Sequence, residues 1–178
     1  MGSHPAAPAG PADVLTRSRA TPSHLPFEQF YRDHVDRVHR ALALAVGDTA
    51  VAREATDEAM ARAYARWDRV RRLDNPGGWV FRVGLNWATS WWRKVRRERP
   101  PAEDRHPAAA AAPDPAGLAA RSALELLPLS RRTVIVCRVL LDLSTAETAA
   151  VLDLTEGTVR SRLSRGLAEL RAALAEEE

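Results

Sequence analysis

The stretch STAETAAVLDLTEGTVRSRLSRGLAELR, residues 144–171, decides how the C-terminal part of this chain folds. Ser144 and Glu147 have the S-x-x-E spacing of a capping box, in which the hydroxyl accepts a first-turn N–H and the carboxylate reaches back to the serine N–H. That spacing predicts a short helix ending near Leu152. Asp153 and Leu154 then make a tight turn, and Thr155 can cap a second helix. Val159, Leu163, Leu167, Leu170 and Leu174 recur there at three- and four-residue intervals, so one face is dry. Thr158, Arg162 and Arg165 fall on the other side, flanked by Arg160 and Ser161. A short helix, a tight turn and a second helix with one dry and one basic face form a helix-turn-helix.

Arginine offers a rigid donor fork for guanine edges and phosphates, and hydroxyls near a helix start, such as those of Thr155 and Thr158, suit phosphate oxygens. Glu156 can accept from a cytosine amino group or simply favour the positive end of the helix. The pattern alone is also compatible with an amphipathic hairpin whose arginines solvate its outer face.

Working upstream, Ser130 is the expected cap of a largely buried helix carrying Val134, Val136, Cys137, Leu140 and Leu141, and a helix over about 118–127 stops before Pro128. Residues 100–117 hold five prolines among alanines, too many for a continuous helix, and read as a flexible linker. Residues 1–26, rich in Ala, Pro and Ser without periodicity, read as a disordered tail. Between them, Phe27, Phe30, Tyr31, His34, Val35, Val38, Leu42 and Val46 mark the apolar stripe of a helix that Gly47 ends. Asp48 caps the next helix, which turns Val51, Ala52, Ala55, Ala59, Met60 and Ala63 inward. Asn75 at the cap and Pro76 at the first position open a third, through Trp79, Val80, Val83, Trp87 and Trp91 to about Arg99. The expected fold is all-α: two small helical domains, 27–99 and 118–178, joined by the linker, the second containing the helix-turn-helix.

Composition fits that reading. Apolar residues make up 46% of 178, yet only two tyrosines and three phenylalanines are available, so alanine and leucine do most of the packing. The net charge of +3 is modest; its distribution is not. WWRKVRRER, residues 91–99, sets five basic groups against one acid, and aromatic rings beside cations can stack on unpaired bases while holding phosphates. Trp87 is expected in the core and Trp92 at the surface, with Trp91 open. A single cysteine, Cys137, excludes an internal disulfide framework and a thiolate zinc cluster, and the five histidines lack metal or triad spacing. Neither a cofactor nor a catalytic centre is expected. No apolar run approaches the length of a membrane span, so the expected location is the cytoplasm.

In this order, the pieces resemble a bacterial sigma factor of the extracytoplasmic function (ECF) group, of an actinobacterial-like subgroup. GDTAVAREATDEAMARAYARW (47–67) is similar to the family's second conserved helix, and NPGGWVFRVGLNWATSWWRKVRR (75–97) to its promoter-melting and −10-reading segment. LPLSRRTVIVCRVLLDLSTAETAAVLDLTEGTVRSRLSRGLAELR (127–171) is similar to its −35-reading domain, with EGTVRSRLSRGLAELR the most specific part. The resemblance implies that the chain has no catalysis of its own, binds core RNA polymerase through the β′ clamp and β subunits, and recognises promoter DNA, duplex and single-stranded. Asp48, Glu54, Asp57 and Glu58 would dock on the clamp. Asn86, Ser90, Trp91, Trp92, Arg93, Lys94, Arg96 and Arg97 would read and open the −10 element. Arg160, Ser161, Arg162, Ser164 and Arg165 would lie in or beside the −35 groove, with Thr155, Glu156 and Thr158 at the helix start.

Some positions depart from the family pattern. Arg53 replaces an expected acid, Asp57 stands where glutamine is usual, and Ser90 replaces a frequent aspartate. Many members are held by an anti-sigma protein, and no motif here demands one. Two other readings stay open: a sigma-like DNA-binding regulator that does not initiate transcription, motivated by Arg53, and a helical module that antagonises a true sigma factor.

Overall fold

The computed structural model describes residues 26–98 and 115–176, and every regular element among them is helical. The expected tail and linker therefore lie outside the described residues, except for Pro26 and 115–117. The N-terminal unit contains α1 (Phe27–Val46), α2 (Thr49–Ala65), the single turn α3 (Trp67–Val70) and α4 (Pro76–Glu98). The C-terminal unit contains α5 (Pro115–Leu126), α6 (Leu129–Ile135), a π-helical turn (Val136–Leu140), α7 (Thr145–Leu152) and α8 (Glu156–Glu176).

The caps explain most boundaries. Gly47 takes φ 78°, a left-handed conformation that glycine adopts without a Cβ clash, and its N–H bonds to the Ala43 carbonyl to close α1. The Asp48 carboxylate accepts the Val51 N–H at 3.0 Å and starts α2. Asn75 Oδ1 accepts the Gly78 N–H at 2.7 Å and starts α4, with Pro76 where a missing N–H costs nothing. The capping box forms both ways: Ser144 Oγ accepts from Glu147 N at 3.1 Å, and Glu147 Oε2 accepts from Ser144 N at 2.8 Å. Thr155 Oγ1 accepts the Thr158 N–H at 3.2 Å at the start of α8.

Three local readings differ from the structure. Ser130 does not cap α6; Pro128, extended at φ −56° and ψ 141°, holds the cap position and Ser130 lies inside the first turn. The helix expected to run on through Leu141 is α6 followed by a π turn. There Leu141 N–H reaches Val136 O and Leu143 N–H reaches Cys137 O, both at 3.0 Å, while Asp142 takes φ 55°. Tyr31 does not point into the core; α1 buries Phe30, Val38, Ala41, Leu42, Ala43 and Ala45 instead.

Small residues let the N-terminal helices approach closely. All six expected inward positions of α2 are buried, four of them alanines. Gly84 of α4 meets α1 and α2, where a Cβ would stand 2.6 Å from Leu42 Cδ1 and 3.2 Å from the Ala55 carbonyl oxygen. In the C-terminal unit, Val134, Ala149 and Val159 form a small core that joins α6, α7 and α8. Arg131 ties α6 to α8 through Glu169 at 2.6 Å.

The two units are not separate in space. Val136, Cys137, Leu141, Leu143 and Val151 belong to the same apolar core as α1, α2 and α4. Polar contacts cross the same boundary. Arg37 Nε donates to Leu140 O at 3.0 Å, Arg82 Nη1 to Ala150 O at 3.0 Å, and Asn75 Nδ2 to Glu147 Oε1 at 3.1 Å. Arg121 Nη2 donates to Thr49 Oγ1 at 3.1 Å.

Candidate nucleic-acid interface

The outer face of α8 begins at its cap. Thr155 and Thr158 share a hydroxyl hydrogen bond of 2.9 Å, so both oxygens sit together at the positive end of the helix. Glu156 is held at 3.2 Å by Arg160, one turn on, in an exposed pair. Ser161, Ser164 and Arg165 are exposed, and Arg162 is half-buried. Val159 is fully buried on the opposite side, which fixes the rotation of the helix and turns this row outward. Ser161, Ser164 and Arg165 fall on the outer side, Arg162 lies one turn on from Val159, and Thr155, Glu156 and Thr158 sit at the helix start.

The α4 row has a different build. Asn86, Ser90 and Arg93 follow one another at helical spacing and share a face. All three are exposed, and Arg93 Nη2 donates to Ser90 Oγ at 3.1 Å. Lys94 is exposed beside them, and Arg96 and Arg97 continue the helix. Trp87 packs against the core, as its spacing predicts. Trp91 and Trp92 are each 37% exposed and point to different sides of α4, away from the centre of the Asn86–Ser90–Arg93 row. Trp92 lies with Ala88, Thr89 and Arg93 along a cavity of about 420 Å³ that Val46, Leu129 and Arg132 complete, between α4, the end of α1 and α6.

Of the four acids named for a protein contact, Glu54, Asp57 and Glu58 share the outer face of α2, where Glu58 pairs with Arg62 at 2.7 Å. Asp48 stands apart, half-buried and engaged as the cap of that helix. Arg53 is exposed one turn before Asp57 and borders the acidic face.

One half-buried and one buried group show how the packing treats charge. Arg132 donates to the carbonyls of Glu125 and Leu127 at 2.9 Å and to that of Ala45 at 3.4 Å. Burial lowers its pKa while Glu125 opposes the shift. Cys137 is fully buried, and desolvation pushes its thiol up to about 12, which makes it a packing group rather than a reactive thiolate. Among the described residues no group of His, Cys, Asp and Glu side chains could hold a metal ion, and no helix is long and apolar enough to cross a membrane.

Sequence reasoning missed the aromatic cluster at the start of α1. Phe27 meets Tyr64 edge-on at 5.1 Å and Trp67 at 5.4 Å, and Tyr64 remains 64% exposed. The helical spacing of Tyr64 after Met60 and Ala63 carries no hint of this contact.

A helix-turn-helix with exposed basic residues on its second helix, beside a second unit whose α4 carries exposed cations and tryptophans, is the build of a DNA-binding protein. The comparisons narrow that class. Residues 118–170 match the model of Sigma-70, region 4. The chain is 35% identical to an RNA polymerase sigma-E factor of Streptomyces coelicolor, over 84% of this chain and 86% of that protein. It is 30% identical to the ECF RNA polymerase sigma factor SigM of Mycobacterium tuberculosis, over 83% of this chain and 76% of that one. The fold resembles the sigma factor RpoE solved with the anti-sigma factor NepR from Bartonella quintana, with TM-score 0.70 and 22% identity over 85% of this chain and 98% of that one. It also resembles CnrH in complex with the cytosolic domain of CnrY, with TM-score 0.61 and 26% identity over 85% and 89% of the two chains. The chain belongs to the ECF group of bacterial RNA polymerase sigma factors, non-catalytic proteins that bind core RNA polymerase and promoter DNA.

Proposed function

We propose that the two faces divide promoter recognition between them: α8 reads the −35 element, and the Asn86–Ser90–Arg93 row with Trp91 reads and helps open the −10 element. The observation that carries this reading is the coexistence, in one chain, of two unlike cationic rows. The α8 row combines hydroxyls with guanidinium groups and has no aromatic ring, which suits a duplex groove. The helix that carries the α4 row also carries two partly exposed indoles, which suit bases taken out of the stack. Unstacking a base costs a few kcal/mol, and ring contacts on the extruded base offset that cost.

The acidic face of Glu54, Asp57 and Glu58 is assigned to the β′ clamp of core polymerase, with Arg53 as a like-charge intruder at its rim and Asp48 as a structural cap. The anti-sigma partner seen with RpoE and the partner domain seen with CnrH support an antagonist that seats on this fold. In vitro transcription from a promoter library with reconstituted holoenzyme tests the assignment. Promoter-specific product enriched for two spaced elements is expected. A lack of saturable binding to core polymerase would overturn it in favour of a regulator that binds DNA without initiating.

A further inference from the structure

We infer that the cavity beside Trp92 is a binding site for a small organic anion, a flat apolar ring system carrying one carboxylate. Binding itself does not depend on the division of promoter elements proposed above.

The walls set the body of the ligand. Val46 at the end of α1, Ala88 of α4 and Leu129 at the start of α6 supply aliphatic surface, and the Trp92 indole adds an aromatic one. Leu129 and Trp92 are 42% and 37% exposed, so the mouth is reachable from solvent. The volume of about 420 Å³ falls within the range of small-molecule sites, about 300–1,000 Å³. The walls offer little to a base edge. The Thr89 hydroxyl already donates within α4, to the Leu85 and Asn86 carbonyls at 2.9 and 3.1 Å. A nucleobase placed there would give up hydrogen bonds to water without replacement. An unsubstituted ring gives up none.

The charge at the wall sets the head group. Arg93 and Arg132 line the cavity, and among the described residues no carboxylate does. Arg132 carries the argument. Its Nη atoms donate only to neutral carbonyls, those of Glu125, Leu127 and Ala45, and its buried Nε–H has no hydrogen-bond partner. The Glu125 carboxylate is paired instead with Arg121, at 3.3 Å. Desolvation lowers the Arg132 pKa, so this cation sits where water solvates it poorly and no ion pair replaces the water. A ligand carboxylate supplies the missing counter-charge, and charge-assisted hydrogen bonds are about twice as strong as neutral ones.

Calorimetric titration of the full-length chain with naphthoate tests the site. One saturable site is expected. Naphthylmethanol, which keeps the rings and loses the charge, should bind about tenfold more weakly, the worth of one charged hydrogen bond. Deoxythymidine monophosphate, which keeps an anion and loses the apolar rings, should also bind about tenfold more weakly. Absence of saturable binding, or equal binding of the acid and the alcohol, would overturn the proposal. Equal binding of the nucleotide would transfer the cavity to nucleic acid and overturn it likewise.

Variants locate the site. Leu129→Glu puts a carboxylate at the rim, at a helix start where an acid is favourable, and should weaken naphthoate binding about tenfold. Val139→Glu makes the same charge change at an exposed position outside the cavity wall, and should stay within about twofold of the parent chain. Leu129→Trp fills the mouth without charge and should weaken the acid and the alcohol alike. Unchanged naphthoate binding in both Leu129 variants, or equal weakening by Leu129→Glu and Val139→Glu, would overturn the location.

One consequence rests on the −10 assignment. Arg93 belongs to that row, so saturating naphthoate should weaken single-stranded DNA binding about fivefold by occupying one of its cations. Unchanged DNA affinity would overturn this competition. If the chain binds no single-stranded DNA even without naphthoate, the −10 assignment has failed, and the calorimetry still decides the site.

Discussion

Gly84 of α4 and Leu42 of α1 are in such close contact that a Cβ at position 84 would lie 2.6 Å from the leucine Cδ1. Glycine inside a helix normally costs about 1 kcal/mol relative to alanine. Here alanine would overpack a fully buried leucine, and overpacking costs about 1–3 kcal/mol. Gly84→Ala is expected to destabilise the chain, with a lower urea midpoint and an unchanged slope. A midpoint at or above that of the parent chain would mean that Leu42 moves aside freely.

Arg165 is exposed on α8 with no ion pair among the described residues, whereas Arg160 is engaged by Glu156. Arg165→Ala should weaken binding to an upstream promoter duplex by about 1–3 kcal/mol if it reads a base edge, and relax selectivity at one position. If it touches phosphate only, binding should weaken evenly across sequences and the salt dependence should become shallower. Fluorescence anisotropy at several salt concentrations separates these outcomes.

Trp91 and Trp92 have equal exposure but opposite surroundings, and the prediction differs accordingly. Trp91→Ala should weaken binding of single-stranded DNA by about 1–3 kcal/mol through lost stacking. Trp92→Ala opens the cavity beside Leu129 and should act mainly on thermal stability. Single-strand binding and melting temperature, measured on both variants, would reveal a reversal of these roles.

The Glu147 carboxyl is held below its usual pKa by hydrogen bonds from Ser144 and then Asn75. A depressed folded-state pKa means that the stabilisation is present above the unfolded carboxylate value, near 4.3, and disappears as pH falls through the folded value. Glu147→Gln should melt below the parent chain at pH 7, and the two should converge as the solution is acidified past the carboxylate range. Melting curves between pH 7 and 3 check this; a gap that persists at pH 3 would mean that packing, not charge, makes the difference.

On α2, Glu54→Lys should weaken core polymerase binding at least tenfold, and Arg53→Glu should strengthen it most at low salt. Rim charges act mainly on association rate and salt dependence, so the kinetics of polymerase binding provide the measurement.

Much of the helical order was legible in advance because its signals are local. Gly47, Asp48, Asn75, Ser144 and Thr155 each act within one turn, and the structure places them at the helix ends as their chemistry predicts. The polar outer face of α8 followed from the buried position of Val159. The junction between the units was not legible. Val136, Cys137 and Leu141 have the spacing of any buried helix, and periodicity states that a face is covered without saying by what. The π turn escaped for a related reason: it adds a residue to one turn, so its apolar positions still look regular in the sequence. Ser130 was misplaced because Pro128, in an extended conformation, takes the cap position two residues earlier.

Arg132 gathers carbonyls from the end of α5 and, across the junction, from the end of α1. Its guanidinium is thus addressed to two parts of the chain at once, and a chimera would show this. A hybrid that kept α1–α4 and took its C-terminal helices from another relative would carry a foreign side chain into the Ala45 carbonyl, beside Gly47. The halves of this protein are separate in what they contact and jointly specified in what they must match, so exchanging one commits the designer to rewriting the seam of the other.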